Sequence, residues 1–156
     1  MLDPYADKLN ALIISVYDSV NQVEEKMLSQ TLPDVSIGEL HILETIWNFE
    51  DHQCSVSDIA QARQVTVPSM TIAIKKLEKK GYVQKARSSQ DGRVVRVTLT
   101  RMGRKVNAMH RYFHEQMIRS FLKGVSEEQK PGLMEAIQNL ENFLQRQLQK
   151  IQPQHE

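Results

Sequence analysis

The chain has 156 residues, 40% of them hydrophobic and 25% charged, with a net charge of +1. That composition suits one soluble domain with its own core. Its single cysteine, Cys54, excludes an internal disulfide framework, and no apolar run reaches the roughly 20 residues of a membrane span. With no basic-then-apolar leader at its start, it reads as a cytoplasmic protein without a membrane partner.

Asp3-Pro4 is a helix start, a capping side chain followed by proline in the first turn. Apolar residues then recur at Leu9, Leu12, Ile13, Val16, Val20, Val23 and Met27, close to the helical period, and the helix should end before Leu32-Pro33. Ser36 and Glu39 have capping-box spacing for a second helix, with Leu40, Leu43 and Trp47 on its apolar face. Asn48 to Ser55 reads as a polar loop, and Ser57 as the start of a short helix through Ile59 and Ala60.

A helix from about Pro68 to Lys80 follows. Met70, Ala73, Ile74 and Leu77 fall on one face; Pro68, Thr71, Ile72, Lys75, Lys76 and Lys79 fall on the other. Gly81 suits a left-handed cap. Tyr82 to Arg87 and Arg93 to Leu99 read as strands joined by a turn at Ser88 to Gly92. Thr100 caps a long helix to about Lys123, ended by Gly124. Ser126 and Gln129 open a last helix, in which Pro131 is expected to delay or kink the first interior turn. Leu133, Ile137, Leu140, Leu144, Leu148 and Ile151 give it a continuous apolar stripe. Long stripes at both ends of the chain, around a small central module, suggest a subunit interface and hence a twofold homodimer.

Charge is unevenly placed. Thr66 to Lys105 holds eleven basic residues and two acids, a segment charge of +9, which leaves −8 for the rest. A polarised basic block is the electrostatic footprint of a polyanion-binding surface. Three helices followed by a β-hairpin form a winged helix-turn-helix, so the expected partner is double-stranded DNA. The fold class is mainly α with a small β-hairpin wing. Residues 36–100 form the winged-helix core, within a single domain of residues 1–156. Residues 3–32 and 100–152 supply the dimerisation helices.

In this arrangement Thr66, Pro68, Ser69, Thr71 and Ile72 stand near the start of the recognition helix, where base edges are read in the major groove. The isoleucine offers an apolar surface for thymine methyls. Lys75, Lys76 and Lys79 suit phosphates. Arg93 in the wing suits a narrow minor groove, and Asp91 is expected to pair with Arg93 or Arg87 and hold the wing. No phosphate loop, nucleophile elbow or Cys-x-x-Cys pair is present, which argues against an enzyme.

Three segments carry a family resemblance: Leu77-Glu-Lys-Lys-Gly-Tyr-Val83, Arg87-Ser-Ser-Gln-Asp-Gly-Arg-Val94 and Leu99-Thr-Arg-Met-Gly-Arg104. Together they resemble the MarR family of bacterial transcription regulators, across nearly the whole chain. The resemblance implies homodimers of winged-helix subunits on a pseudo-palindromic operator, with the helix nearest each terminus building the dimer. Many members have arginine where this chain has Ile72, a departure that bears on base preference.

Val23-Glu-Glu25, Asp34-Val-Ser-Ile-Gly-Glu-Leu-His41, the wing and His110-Arg-Tyr-Phe-His114 are further similar to the fatty-acid-synthesis repressors of that family. That likeness implies a repressor that responds to an acyl ligand or to acyl carrier protein. Val16, Val20, Ile42 and Phe113 are then candidates for an acyl pocket. Glu24, His41, His110 and His114 also resemble the ligand positions of zinc-responsive MarR-type repressors, although Ser29 and Gln30 stand where those proteins supply a cysteine. Three imidazoles and a carboxylate satisfy tetrahedral zinc. A helical metal-binding dimer that never meets DNA is the alternative of another class. Cys54 does not occupy the position of the cysteine in peroxide-sensing members.

Overall fold

The computed structural model describes residues 3–31, 34–87 and 95–151. Six helices and three strands follow in the order α1 (Pro4–Thr31), α2 (Ile37–Asn48), β1 (Gln53–Cys54), α3 (Val56–Ala62), α4 (Val67–Lys79), β2 (Val83–Arg87), β3 (Val95–Leu99), α5 (Arg101–Leu122) and α6 (Lys130–Ile151). The chain divides into two compact units, Met1–Arg111 and Tyr112–Glu156, with α5 running through the division.

The first unit contains the core. Leu40, Leu43 and Ile46 of α2, Ile59 of α3, Ile74 and Leu77 of α4, and Val97 of β3 are fully enclosed. Burying each such aliphatic side chain contributes about 1.5–3 kcal/mol, so this small set dominates the unit's stability. Ala73, expected on the buried face of α4, is half-buried at its edge.

The helix starts are chemically specified. Ser36 accepts from Glu39 N at 3.2 Å while Ser36 N donates to the Glu39 carboxylate at 2.9 Å, the expected capping box. Ser55 and Asp58 form a second capping box at 3.1 and 2.8 Å. The short helix therefore begins at Val56, one residue before the expected Ser57. Ser55 and Ser57 stand two residues apart, and the Ser55–Asp58 box satisfies two terminal N–H groups where a lone serine satisfies one.

The polar stretch after α2 is more ordered than its composition suggests. It makes a 3-10 turn at Glu50–His52 and then β1, which pairs antiparallel with β3 through Gln53↔Thr98 and Cys54↔Val97. The wing sheet thus has three strands in the order β1-β3-β2. Asp51 and His52 adopt φ of 55° and 53° to aim the chain into the sheet. His52 stacks on Trp47 at 3.9 Å, and its Nδ1 lies 2.6 Å from the Trp47 carbonyl.

The second unit is built differently. Ser126 N donates to Gln129 Oε1 at 2.9 Å, yet α6 begins only at Lys130 with Pro131 in its first turn, the expected delay. The first-turn N–H groups have no intrahelical acceptor, and proline loses nothing there. No residue of α6 is buried, and Ile137, Leu140, Phe143, Leu144 and Leu148 remain exposed. Among the described residues, no helix is long and apolar enough to cross a membrane.

Candidate nucleic-acid interface

The recognition element is α4, joined to α3 by a short turn in which Gln64 takes a left-handed φ of 54°. Thr66 caps α4: its hydroxyl accepts from Ser69 N at 3.3 Å and donates to Ser69 Oγ at 2.9 Å. Pro68 lies in the first turn, where its missing N–H is harmless. Met70, Ile74 and Leu77 anchor one face in the core.

The opposite face carries the residues expected to read and grip DNA. Thr66, Pro68 and Ser69 are exposed at its start, as are Lys75, Lys76 and Lys79 further along. Ile72 is 58% exposed on the same face. The Thr71 hydroxyl donates to Val67 O at 2.8 Å. Lys75, Lys76 and Lys79 have no ion-pair partner among the described residues. Arg87 is exposed at the end of β2, while Asp91 and Arg93 lie outside the described residues.

Other basic side chains of the +9 block are engaged within the protein. Lys80 pairs with Glu39 at 2.8 Å, Lys85 with Glu78 at 3.0 Å, and Arg96 with Asp58 at 3.6 Å. Arg104 donates to the Leu99 carbonyl at 2.8 Å. These partners are distant in sequence or on another element, so a charge count along the chain misses them. Burial opposes ionisation of Glu39, but Lys80 and Ser36 outweigh it and hold the carboxyl below its ordinary range.

An open groove of about 770 Å³ runs between α2 and α4, lined among others by Ile42, Val65, Met70, Ile72 and Lys76. Ile42 is therefore a core residue that touches this groove. Of the other candidates for an acyl pocket, Val16 is 59% exposed and Val20 half-buried on α1. Phe113 is half-buried in the second unit, edge-on to His114 at 5.2 Å.

A second constellation lies in the first unit. Glu24 of α1 and His110 of α5 are both buried, with Oε1 and Nε2 3.1 Å apart. His41 of α2 faces His110 with ring centroids 5.8 Å apart, and Glu44 approaches His110 Nδ1 at 3.8 Å. Glu24, His41 and His110 can each present a ligand atom within 4.8 Å of the others. Burial, then the Arg63 charge, pushes the His41 pKa down, which favours the neutral imidazole a metal needs. His114 is not in this group and belongs to the second unit. Cys54 is fully buried in β1, and its thiol is pushed up to about 12, chiefly by burial.

Residues 35–95 match the model of the MarR family. The HTH-type transcriptional regulator SarZ of Staphylococcus haemolyticus (strain JCSC1435) is 32% identical over 72 residues, 46% of this chain and 48% of SarZ. The chain thus spans about half the length of that relative. Streptococcus pneumoniae FabT, solved in complex with DNA, is 31% identical, with a TM-score of 0.79 over 90% of this chain and 98% of FabT. S. aureus MepR, also solved with DNA, shares the fold at 21% identity, with a TM-score of 0.68 over 85% and 94% of the two chains. The chain belongs to the MarR family, whose members are DNA-binding transcriptional regulators and not enzymes.

Proposed function

We propose that the protein is a homodimeric repressor that binds a pseudo-palindromic operator in double-stranded DNA and controls fatty-acid-synthesis genes in response to an acyl ligand or acyl carrier protein. The observation that carries DNA binding is α4: a helix capped at Thr66, anchored by Met70, Ile74 and Leu77, that exposes Ser69, Ile72, Lys75, Lys76 and Lys79 on one face. The pathway rests on the likeness to FabT, which extends over nearly all of both chains. In this reading Thr66, Pro68, Ser69, Thr71 and Ile72 contact bases or the adjoining backbone. Lys75, Lys76 and Lys79 hold phosphates, and Arg87, Asp91 and Arg93 form the wing's contact. Val16, Val20 and Ile42 are the acyl-site candidates of the first unit, and Phe113 that of the second.

The test is a mobility shift on the protein's own promoter region across a salt series, with and without acylated carrier protein. Specific binding that weakens steeply with salt, and changes with the acylated protein but not the unacylated one, is expected. Binding indifferent to both forms would remove the acyl reading while leaving the regulator.

The grouping of Glu24, His41 and His110 favours a second reading, in which zinc is the effector. Two imidazoles and a carboxylate are zinc-ligand types, while His114, the other candidate, lies in the second unit. Zinc titration of wild type against His110→Ala and His114→Ala checks it. Absence of binding by the wild type would end it.

A further inference from the structure

We infer that Lys80 is a positioning residue that sets the angle of the recognition helix, not one of the lysines that grip DNA. This rests on the DNA-binding reading of α4 and asks what holds that helix at the angle its short side chains require.

The last turn of α4 is held from two sides. On one side Lys80 Nζ donates to both Glu39 carboxylate oxygens at 2.8 Å and to the Asp34 carbonyl. Tyr82, whose ring is fully buried, donates its hydroxyl to Asp34 Oδ1 at 2.8 Å. Glu39 also closes the capping box with Ser36, so one carboxylate ties the start of α2 to the end of α4. On the other side Thr100 Oγ1 donates to the Gly81 carbonyl at 2.6 Å, and Thr100 N donates to the Tyr82 carbonyl at 3.0 Å. Gly103 packs so closely there that an added Cβ would meet Tyr82 O at 2.0 Å.

Gly81, with φ +80°, completes the turn: its N–H donates to Glu78 O, and Tyr82 N donates to Leu77 O. The C-terminal end of α4 is thereby the fixed end. The residues expected to read bases sit at the other end.

Geometry then separates two kinds of contact. α4 has 13 residues, about 20 Å at 1.5 Å per residue. A pivot of about 5° at the clamped end displaces the far end by roughly 1.7 Å on that length. Lysine side chains on flexible stems can follow such a shift and keep their phosphates. Ser69 and Thr71 are too short to follow it and keep hydrogen-bond distances near 3 Å, and Ile72 is too short to keep its apolar contact. Loss of the clamp therefore reduces specific binding and leaves nonspecific binding and its salt dependence in place.

The test compares wild type, Lys80→Met, Lys80→Arg and Glu39→Gln on operator and scrambled duplexes across a salt series. Lys80→Met keeps the aliphatic stem and removes the charge. Glu39→Gln keeps the capping box, which accepts glutamine, and removes the ionic partner. Both are expected to lose about tenfold in operator affinity, with scrambled-duplex affinity and salt slope unchanged. Lys80→Arg is expected to retain wild-type discrimination. Thermal unfolding of each variant separates altered positioning from loss of fold, and Glu39→Gln is the milder change if Lys80→Met unfolds. If Lys80→Met lowers the salt slope by about one and weakens both duplexes equally, Lys80 is a phosphate contact and the inference is overturned. Wild-type discrimination in both Lys80→Met and Glu39→Gln overturns it as well. Wild type that fails to prefer its operator overturns the regulator reading itself, a separate result.

Discussion

The winged core of the first unit and helix α6 of the second use similar apolar residues to opposite ends. In the first, Leu40, Leu43, Ile46, Ile74 and Leu77 are completely enclosed by neighbours from the same unit. In the second, α6 has an equally regular stripe, yet Leu140, Leu144 and Leu148 are 40%, 51% and 46% exposed. An amphipathic helix gains most of its stability from the surface it packs on. A winged unit that closes its core within one chain can therefore stay rigid, while the α6 stripe fits a surface made by association.

The sharpest way to break that contrast is to charge the stripe. Leu140→Asp with Leu144→Asp replaces two apolar contacts, each worth about 1.5–3 kcal/mol, with buried charge. We expect the homodimer to weaken by at least about a hundredfold, since 1.4 kcal/mol is a factor of ten. Sedimentation equilibrium would show monomers. An unchanged association constant would mean that α6 is not at the interface. Operator binding should fall with it, because two half-sites are then bound by separate molecules.

The matching change in the first unit is Ile74→Ala, at a fully buried position. It should cost about 2–5 kcal/mol of folding stability. Denaturant melts would show a lower midpoint, with the native association constant unchanged. A variant that loses association while keeping its melting midpoint would reverse the assignment of roles to the two units.

Within the DNA-facing surface the comparison becomes finer. Lys76→Ala removes one candidate phosphate contact and should reduce the salt slope by about 0.9. Ile72→Ala leaves charge untouched and should change affinity by about 1 kcal/mol for one base position, at constant slope. Filter binding on operators substituted one base pair at a time reads both. The same slope loss in both variants would contradict the division between grip and reading.

Helix starts and stops were the most legible part of the fold. Ser36, Gly81 and Thr100 each carry local chemistry that acts within a few residues, and the structure uses them as expected. Local chemistry also explains one miss: the Ser55–Asp58 box moves the start of α3 to Val56, one residue before Ser57. β1 has two residues, too few for any alternation to register, and it depends on left-handed Asp51 and His52 to reach β3. The candidate site was legible as charge but not as pairing. Lys80 and Glu39 are 41 residues apart, so only the fold shows that this lysine is engaged. Glu24, His41 and His110, named together by the family resemblance, meet from three different helices, without His114.

The smallest expected effect tests how closed the first unit is. Cys54 has no exposed surface, and its thiol is pushed up to about 12 by burial, with the Asp58 charge adding to it. At pH 8 the thiolate is then about one part in ten thousand, and only the thiolate attacks a disulfide reagent. Ellman's reagent should therefore modify native protein only as fast as β1 opens, with a rate that follows global unfolding as denaturant is raised. In contrast to a peroxide-sensing thiol, Cys54→Ser should leave operator binding unchanged under oxidant. Complete modification of native protein within seconds would show that β1 separates readily from β3. The first unit would then lack the rigidity that distinguishes it from the second.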